Sequence, residues 1–152
     1  MGRIVVVHGP NLNLLGVREP EIYGHESLED INRRLEQLVQ PLGIDIEFFQ
    51  SNHEGELVDY LQSVRARADF VIINAGALTH YSIALHDALR ALGKPVIEVH
   101  LSNPYAREEF RHHSYVAPVA MGGVFGLGSL SYRLAVLAAV ARLAPDKVEP
   151  WA

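Results

Sequence analysis

Two uninterrupted apolar runs, Ile4-Val5-Val6-Val7 and Phe70-Val71-Ile72-Ile73, constrain this chain more than any other feature. Both are rich in β-branched residues and neither alternates polar with apolar positions, so a strand built from either must be covered on both faces. That is the situation of a parallel sheet sandwiched between helices. Each run ends in small and amide residues, Gly9-Pro10-Asn11 after the first and Asn74-Ala75-Gly76 after the second.

The remaining segments alternate as such a sheet requires. Ser27 can cap a helix with Asp30 three residues on, and Leu28, Ile31, Leu35, Leu38, Val39 and Leu42 then recur at helical spacing until Pro41 and Gly43 stop it. Ile44, Ile46 and Phe48 alternate with Asp45 and Glu47, as in a strand with one face less buried at the sheet edge. Leu57, Val58, Leu61 and Val64 mark a second helix; Ile83, Ala84, Leu85, Ala88, Leu89 and Leu92 mark the inner side of a third, ended by Gly93. Pro95 to His100 reads as the fourth strand. Val116 to Val124 is expected to hold the fifth, interrupted by Pro118 and Gly122-Gly123. Leu130 to Leu143 is helical and apolar nearly all round, so both the sheet and a second surface, such as another subunit, should cover it. A single domain over residues 1–152 is expected, of class α/β, with a five-stranded parallel sheet in the order 2-1-3-4-5. In such a sheet ligands bind beyond the strand ends where the order reverses, which singles out Gly9 to Asn13, Asn74 to Gly76 and His100 to Ser102.

Composition narrows the function. A formal charge of -5 gives no general attraction to nucleic acid or an anionic membrane, so an anionic ligand would have to be held locally. There is no cysteine for a disulfide or thiolate metal site, and no apolar run as long as a membrane span. Met1-Gly2-Arg3 leads into a strand without a basic, then apolar, leader, and a cytoplasmic location is expected.

The stretch from Gly9 to Gly24 is unusually long for a connection in a compact domain, and its glycines and prolines argue against a regular helix. Leu12, Leu14, Leu15, Val17 and Ile22 argue against a solvated linker, leaving a functional lid over residues 12–24 or an Ω-loop packed by its own leucines. It places Arg18 five residues before Tyr23. A free tyrosine titrates near ~10, so service as a base near neutral pH requires the phenolate to be stabilised by roughly 4 kcal/mol. A guanidinium in a water-poor site can supply much of that and cannot lose its own proton. A loop-anchoring tyrosine is the plainer alternative.

Glu98 and His100 are two apart on a strand, so both leave the same face and the carboxylate can fix the imidazole tautomer. A single structural hydrogen bond would use the same spacing. His80 and Asp87, seven apart, would share a helix face and suit an interface as well as a site, while His112-His113 fits a solvated surface pair. Eight histidines raise the question of a metal, with His8, His80, His100 and Glu98 as converging candidates, yet no HExxH or comparable spacing is present. The first loop lacks the Gly-Lys-Ser/Thr ending of a phosphate-binding loop, and it has no hydroxyl residue to hold a flavin phosphate.

Taken together, His8-Gly9-Pro10-Asn11-Leu12-Asn13-Leu14-Leu15-Gly16, Arg18-Glu19-Pro20 with Tyr23-Gly24, Glu98-Val99-His100-Leu101-Ser102-Asn103 and Phe110-Arg111-His112-His113-Ser114 resemble type II 3-dehydroquinate dehydratase, nearly end to end and in that family's order. The resemblance implies a flavodoxin-like three-layer fold and a lyase of the shikimate pathway that leads to aromatic amino acids. It implies dehydration of 3-dehydroquinate to 3-dehydroshikimate without cofactor or metal, by a homododecamer of four trimers. On this resemblance Tyr23 is the base, Arg18 the lid arginine that stabilises its phenolate, and Asn11 the holder of a water against the enolate oxygen. His100 is the acid, oriented by Glu98. Substrate contacts fall to Asn74, Gly76, His80, Leu101, Ser102 and Arg111, and Asp87 reaches in from a neighbouring subunit. Ala75, Leu78, Tyr81 and His86 depart from the family's usual residues. A non-catalytic flavodoxin-like binding module and a metal-dependent hydrolase are the rival functions.

Overall fold

The computed structural model describes residues 2–23 and 25–149, Tyr23 by its backbone alone. Its strands are β1 Arg3–His8, β2 Asp45–Gln50, β3 Phe70–Asn74, β4 Val96–His100 and β5 Gly122–Phe125. Its helices are α1 Pro20–Tyr23, α2 Leu28–Val39, α3 Glu54–Ser63, α4 Ile83–Leu92 and α5 Leu130–Leu143. Every strand pair is parallel, and the sheet runs β2-β1-β3-β4-β5, the expected order.

The unbroken apolar runs divide between two cores because successive strand residues face opposite ways. Ile4, Val6, Phe70, Ile72, Ile97 and Val99 pack under α2 and α5, against Ile31, Leu35, Tyr132, Ala135, Val136 and Ala139. Val5, Val7, Val71, Ile73 and Val96 pack under α3 and α4, against Leu57, Leu61, Leu85 and Leu89. Strand β2 closes one edge and stays half-exposed. Ser27 caps α2 as its spacing predicts: its hydroxyl accepts from the Asp30 amide at 3.1 Å, and the Asp30 carboxylate accepts from the Ser27 amide at 3.2 Å.

Several segments differ from the sequence expectation. Strand β5 begins only at Gly122, because Pro118, which lacks an amide proton, sits in a 3-10 turn over Ala117–Val119. The long loop holds a 3-10 turn, Leu12–Leu14, and the one-turn helix α1, started by Pro20 where a missing amide proton costs nothing. Ile83 and Ala84 face outward from α4, and Leu38 from α2. Helix α5 buries one stripe and leaves Leu130 and Leu137 exposed. Among the described residues no helix is long and apolar enough to cross a membrane.

The ends of β1 and β3 meet at Gly9 and Gly76. A Cβ on Gly9 would fall onto the Ala75 carbonyl, while Gly76 adopts φ +58° with its Cβ direction 3.0 Å from the Pro10 oxygen. Gly9→Ala should therefore cost about 1–3 kcal/mol by overpacking, read as a lowered midpoint in denaturant unfolding; an unchanged midpoint would contradict this close approach.

His8 is wholly buried on the α2/α5 side. Its Nε2 lies 2.8 Å from Asn32 Oδ1 and its Nδ1 2.8 Å from the Tyr132 hydroxyl. Burial pulls its pKa from 6.5 down to about 4. The folded state thus resists a proton that the unfolded chain accepts below pH ~6.5. Stability should fall as pH drops from that value towards 4, by about 3 kcal/mol from this residue, and level off below. His80, also lowered by burial, adds loss of the same sign. Denaturant midpoints at pH 7 and 4.5 should differ less in His8→Gln than in wild type, and an equal difference would refute the assignment.

Candidate active site

The three segments singled out at the strand ends do converge, on a cavity of about 220 Å³. The β1 end contributes Pro10, Asn11 and Leu12; the β3 end contributes Asn74, Gly76, Ala77 and His80; the β4 end contributes His100, Leu101 and Ser102. Arg18 from the long loop, with Arg107 and Arg111 from the connection after β4, completes the wall. Three guanidinium groups make this a locally cationic pocket on an acidic chain.

Strand β4 positions the titratable pair. His100 Nε2 lies 2.6 Å from Glu98 Oε2, and the same oxygen accepts from Ser114 Oγ at 2.8 Å. Ser114 is fixed in turn by the amides of Val116 and Ala117, at 3.1 and 2.9 Å. The carboxylate can only accept, so Nε2 carries the proton of that bond, and His100 also lines the cavity. His80 stacks beside His100 with ring centroids 6.4 Å apart. Its Nδ1 donates to the His113 carbonyl at 2.8 Å, and burial holds its pKa below the usual histidine value. Near neutral pH it therefore offers Nε2 as an acceptor.

Asn11 sits at φ 70°, a conformation asparagine tolerates better than most side chains, and its amide donates to Asn52 Oδ1 at 2.9 Å. Arg18 pairs with the Glu19 carboxylate at 3.1 Å. The Tyr23 side chain, expected as Arg18's partner, and Gly24 lie outside what the structure describes. Arg111 Nε donates to Glu108 at 2.9 Å, its guanidinium over the Phe110 ring. Asp87 is not brought to the cavity; it is exposed on α4. His80 does not share that helix, since it ends a 3-10 turn, Gly76–His80, before α4 begins. His8 does not converge with His80 and His100 either, because it faces the α2/α5 layer. Among the described residues no three His, Asp or Glu side chains gather as a metal-binding set. Of the four departures, Ala75 and Leu78 are buried in the α3/α4 core, His86 donates to the Tyr115 carbonyl at 2.7 Å, and Tyr81 is exposed.

Two contributors have little sequence signature. Arg107 donates to Ser102 Oγ at 3.1 Å from a polar loop where nothing but its charge marks it. Ser114 stands in a quoted motif, but its link to Glu98 depends on the chain folding back sixteen residues later. A wider groove of about 740 Å³ adjoins the cavity and shares Leu101, Ser102 and Arg107, but holds neither His100 nor Asn74. The smaller cavity, where His100 and three arginines meet, has the chemistry of a site for a small anion that gains or loses a proton.

Comparison with known proteins agrees with this chemistry. The chain matches the family model for dehydroquinase class II over residues 2–140. It is similar to the 3-dehydroquinate dehydratase of Dictyoglomus turgidum, 57% identical over 136 residues that make up 90% of this chain and 94% of that one. It is also similar to the crystal structure of the type II dehydroquinase from Propionibacterium acnes, with a TM-score of 0.88 at 42% identity over 93% of this chain and 97% of that one. The type II dehydroquinase from Butyrivibrio crossotus gives a TM-score of 0.87 at 43% identity, covering 89% and 94%. Sequence and fold together place this chain in the family of class II dehydroquinases, as an enzyme of that family.

Proposed function

We propose that the cavity at the β1, β3 and β4 ends dehydrates 3-dehydroquinate to 3-dehydroshikimate by way of an enolate. The observation that carries this reading is the Glu98–His100 pair, with His100 lining a cavity walled by Arg18, Arg107 and Arg111. Dehydration of a β-hydroxy ketone needs a base for the carbon next to the ketone, charge stabilisation for the enolate, and an acid for a poor leaving group. Tyr23 is the base, its phenolate favoured by Arg18, and Asn11 holds a water against the enolate oxygen. His100 in its doubly protonated form gives the Nδ1 proton to the departing hydroxyl, while the Nε2 proton stays on the ring, hydrogen-bonded to Glu98. The leaving group departs as water, and solvent returns the proton from Tyr23 to His100.

The substrate carboxylate fits the backbone and hydroxyl of Leu101-Ser102, where Arg107 supports Ser102. Its ring hydroxyls fit Arg111, His80 and Asn74, with Gly76 leaving room for the ring. Residues 12–24 close over it as a lid that excludes water. The enzyme works in the cytoplasm, without cofactor, as a dodecamer of four trimers in which Asp87 serves a neighbouring subunit's site. The exposed Asp87, Leu130 and Leu137 support an assembled form.

Added to metal-free protein, 3-dehydroquinate should produce absorbance at the enone band of 3-dehydroshikimate. Tyr23→Phe and His100→Ala should each lower kcat at least about a hundredfold with unchanged thermal unfolding. No rise with the wild-type protein would leave a non-catalytic binding module as the better account. Arg18→Ala should lower kcat more than it raises KM and move the alkaline rise of the rate to higher pH; a pH profile identical to wild type would remove Arg18 from the base's environment.

A further inference from the structure

We infer that Asn52, in the connection between β2 and α3, is a positioning residue of the reaction: its side-chain oxygen holds the backbone of Asn11 and, through it, the Asn11 side chain at the cavity. The inference rests on the cavity being the dehydratase site and on Asn11 serving the enolate there. Strand pairing brings the two residues together across 41 positions of sequence. β1 and β2 stay in register up to His8 and Gln50, and the Ser51 amide adds one more rung by donating to the His8 carbonyl at 3.1 Å. Ser51 is buried; its hydroxyl accepts from the His53 amide at 2.9 Å and donates to Glu56 Oε1 at 2.6 Å, which turns the chain there and sets Asn52 beside the start of the first loop.

Asn52 Oδ1 accepts from the Asn11 amide at 2.9 Å and from Gln50 Nε2 at 3.2 Å, and Gln50 Nε2 also donates to the Gly9 carbonyl at 3.2 Å. Backbone groups fix both side-chain amides. The Gly9 carbonyl can only accept, so the Gln50 atom facing it is nitrogen; the Asn11 N–H can only donate, so the Asn52 atom facing it is oxygen. Asn11 needs such a hold, because φ 70° is a left-handed conformation that disfavours a side chain. It stands before the Leu12–Leu14 turn, yet its side chain makes no capping hydrogen bond, the ordinary use of an asparagine there. That side chain lines the cavity instead, with Asn74 and His100, whereas Asn52 is not part of the wall. Gly9 lies against Ala75 and Pro10 against Gly76 on one flank, and Gln50 and Asn52 close the other, so the segment that carries Asn11 is gripped between the β3 and β2 connections. The water that Asn11 holds acts on charge that develops only in the transition state, so loosening this grip falls on kcat and spares KM.

Asn52 is exposed, so substituting it should leave the fold intact. Asn52→Ala should lower kcat about tenfold with KM within about twofold of wild type. Asn52→Asp keeps an acceptor for both donors and should restore kcat to within about threefold. In an Asn11→Ala background, Asn52→Ala should change kcat by less than about twofold. A tenfold loss in both backgrounds, a change in KM alone, an Asn52→Asp enzyme as slow as Asn52→Ala, or no loss at all would overturn the inference. Independently of turnover, hydrogen exchange over residues 9–14, read by mass spectrometry on the intact protein, should be at least about threefold faster in Asn52→Ala than in wild type; an unchanged rate would overturn the inference as well. Lack of turnover by the wild type would instead contradict the proposed reaction, and the exchange rates would still decide whether Asn52 holds Asn11.

Discussion

The close approach of the β1 and β3 ends at Gly9 and Ala75 governs everything built above this sheet. Only hydrogen fits at Gly9, so the first loop leaves β1 directly against the β3 turn, and Gly76 in turn tucks under Pro10. Pro10 and Asn11 are thereby held beside Asn74 and Gly76 without any side chain spanning the gap. The order of the sheet then brings the β4 end next to β3, and a single cavity collects three loops that are far apart in sequence. Reversal of strand order between β1 and β3 opens the crevice; the glycines set how narrow it is.

Electrostatics in that crevice runs against the charge of the whole chain. The formal balance is -5, yet Arg18, Arg107 and Arg111 line one cavity together with His100, whose ring is held by Glu98. Glu98 is already engaged, by His100 on one side and Ser114 on the other, so it orders the imidazole and does not confront an anionic ligand. Burial acts on the histidines selectively. It depresses the basicity of His8 and of His80, which favours the neutral ring in both.

Much of this was legible in the sequence, for reasons that can be traced to particular residues. The unalternated runs at Ile4 and Phe70 could only be strands covered twice, and from them followed the parallel sheet, its order and the three loops to watch. Glu98 and His100 announced themselves because a two-residue spacing on a strand fixes a shared face. What the sequence could not reveal depends on long-range return of the chain. By spacing alone His8 is one of several histidines that are candidates to converge on a ligand, whereas its partners arrive from Asn32 and from Tyr132, 124 residues away. The start of β5 was placed too early because β-branched residues flank Pro118, and the proline turn prevailed over their propensity. Arg107 had no marker beyond its charge, and the wall it completes exists only once the connection after β4 folds over Ser102.

The central claim is that the narrow cavity at the β1, β3 and β4 ends, and not the wider groove beside it, is where substrate is held. A crystal structure of the Tyr23→Phe variant with 3-dehydroquinate tests this most directly. The account predicts the substrate carboxylate at Leu101-Ser102, its ring between Asn74 and Arg111, and the departing hydroxyl within hydrogen-bond distance of His100 Nδ1. Substrate bound instead in the groove lined by His25, Glu26 and Arg133, with the cavity beside His100 unfilled, would contradict it.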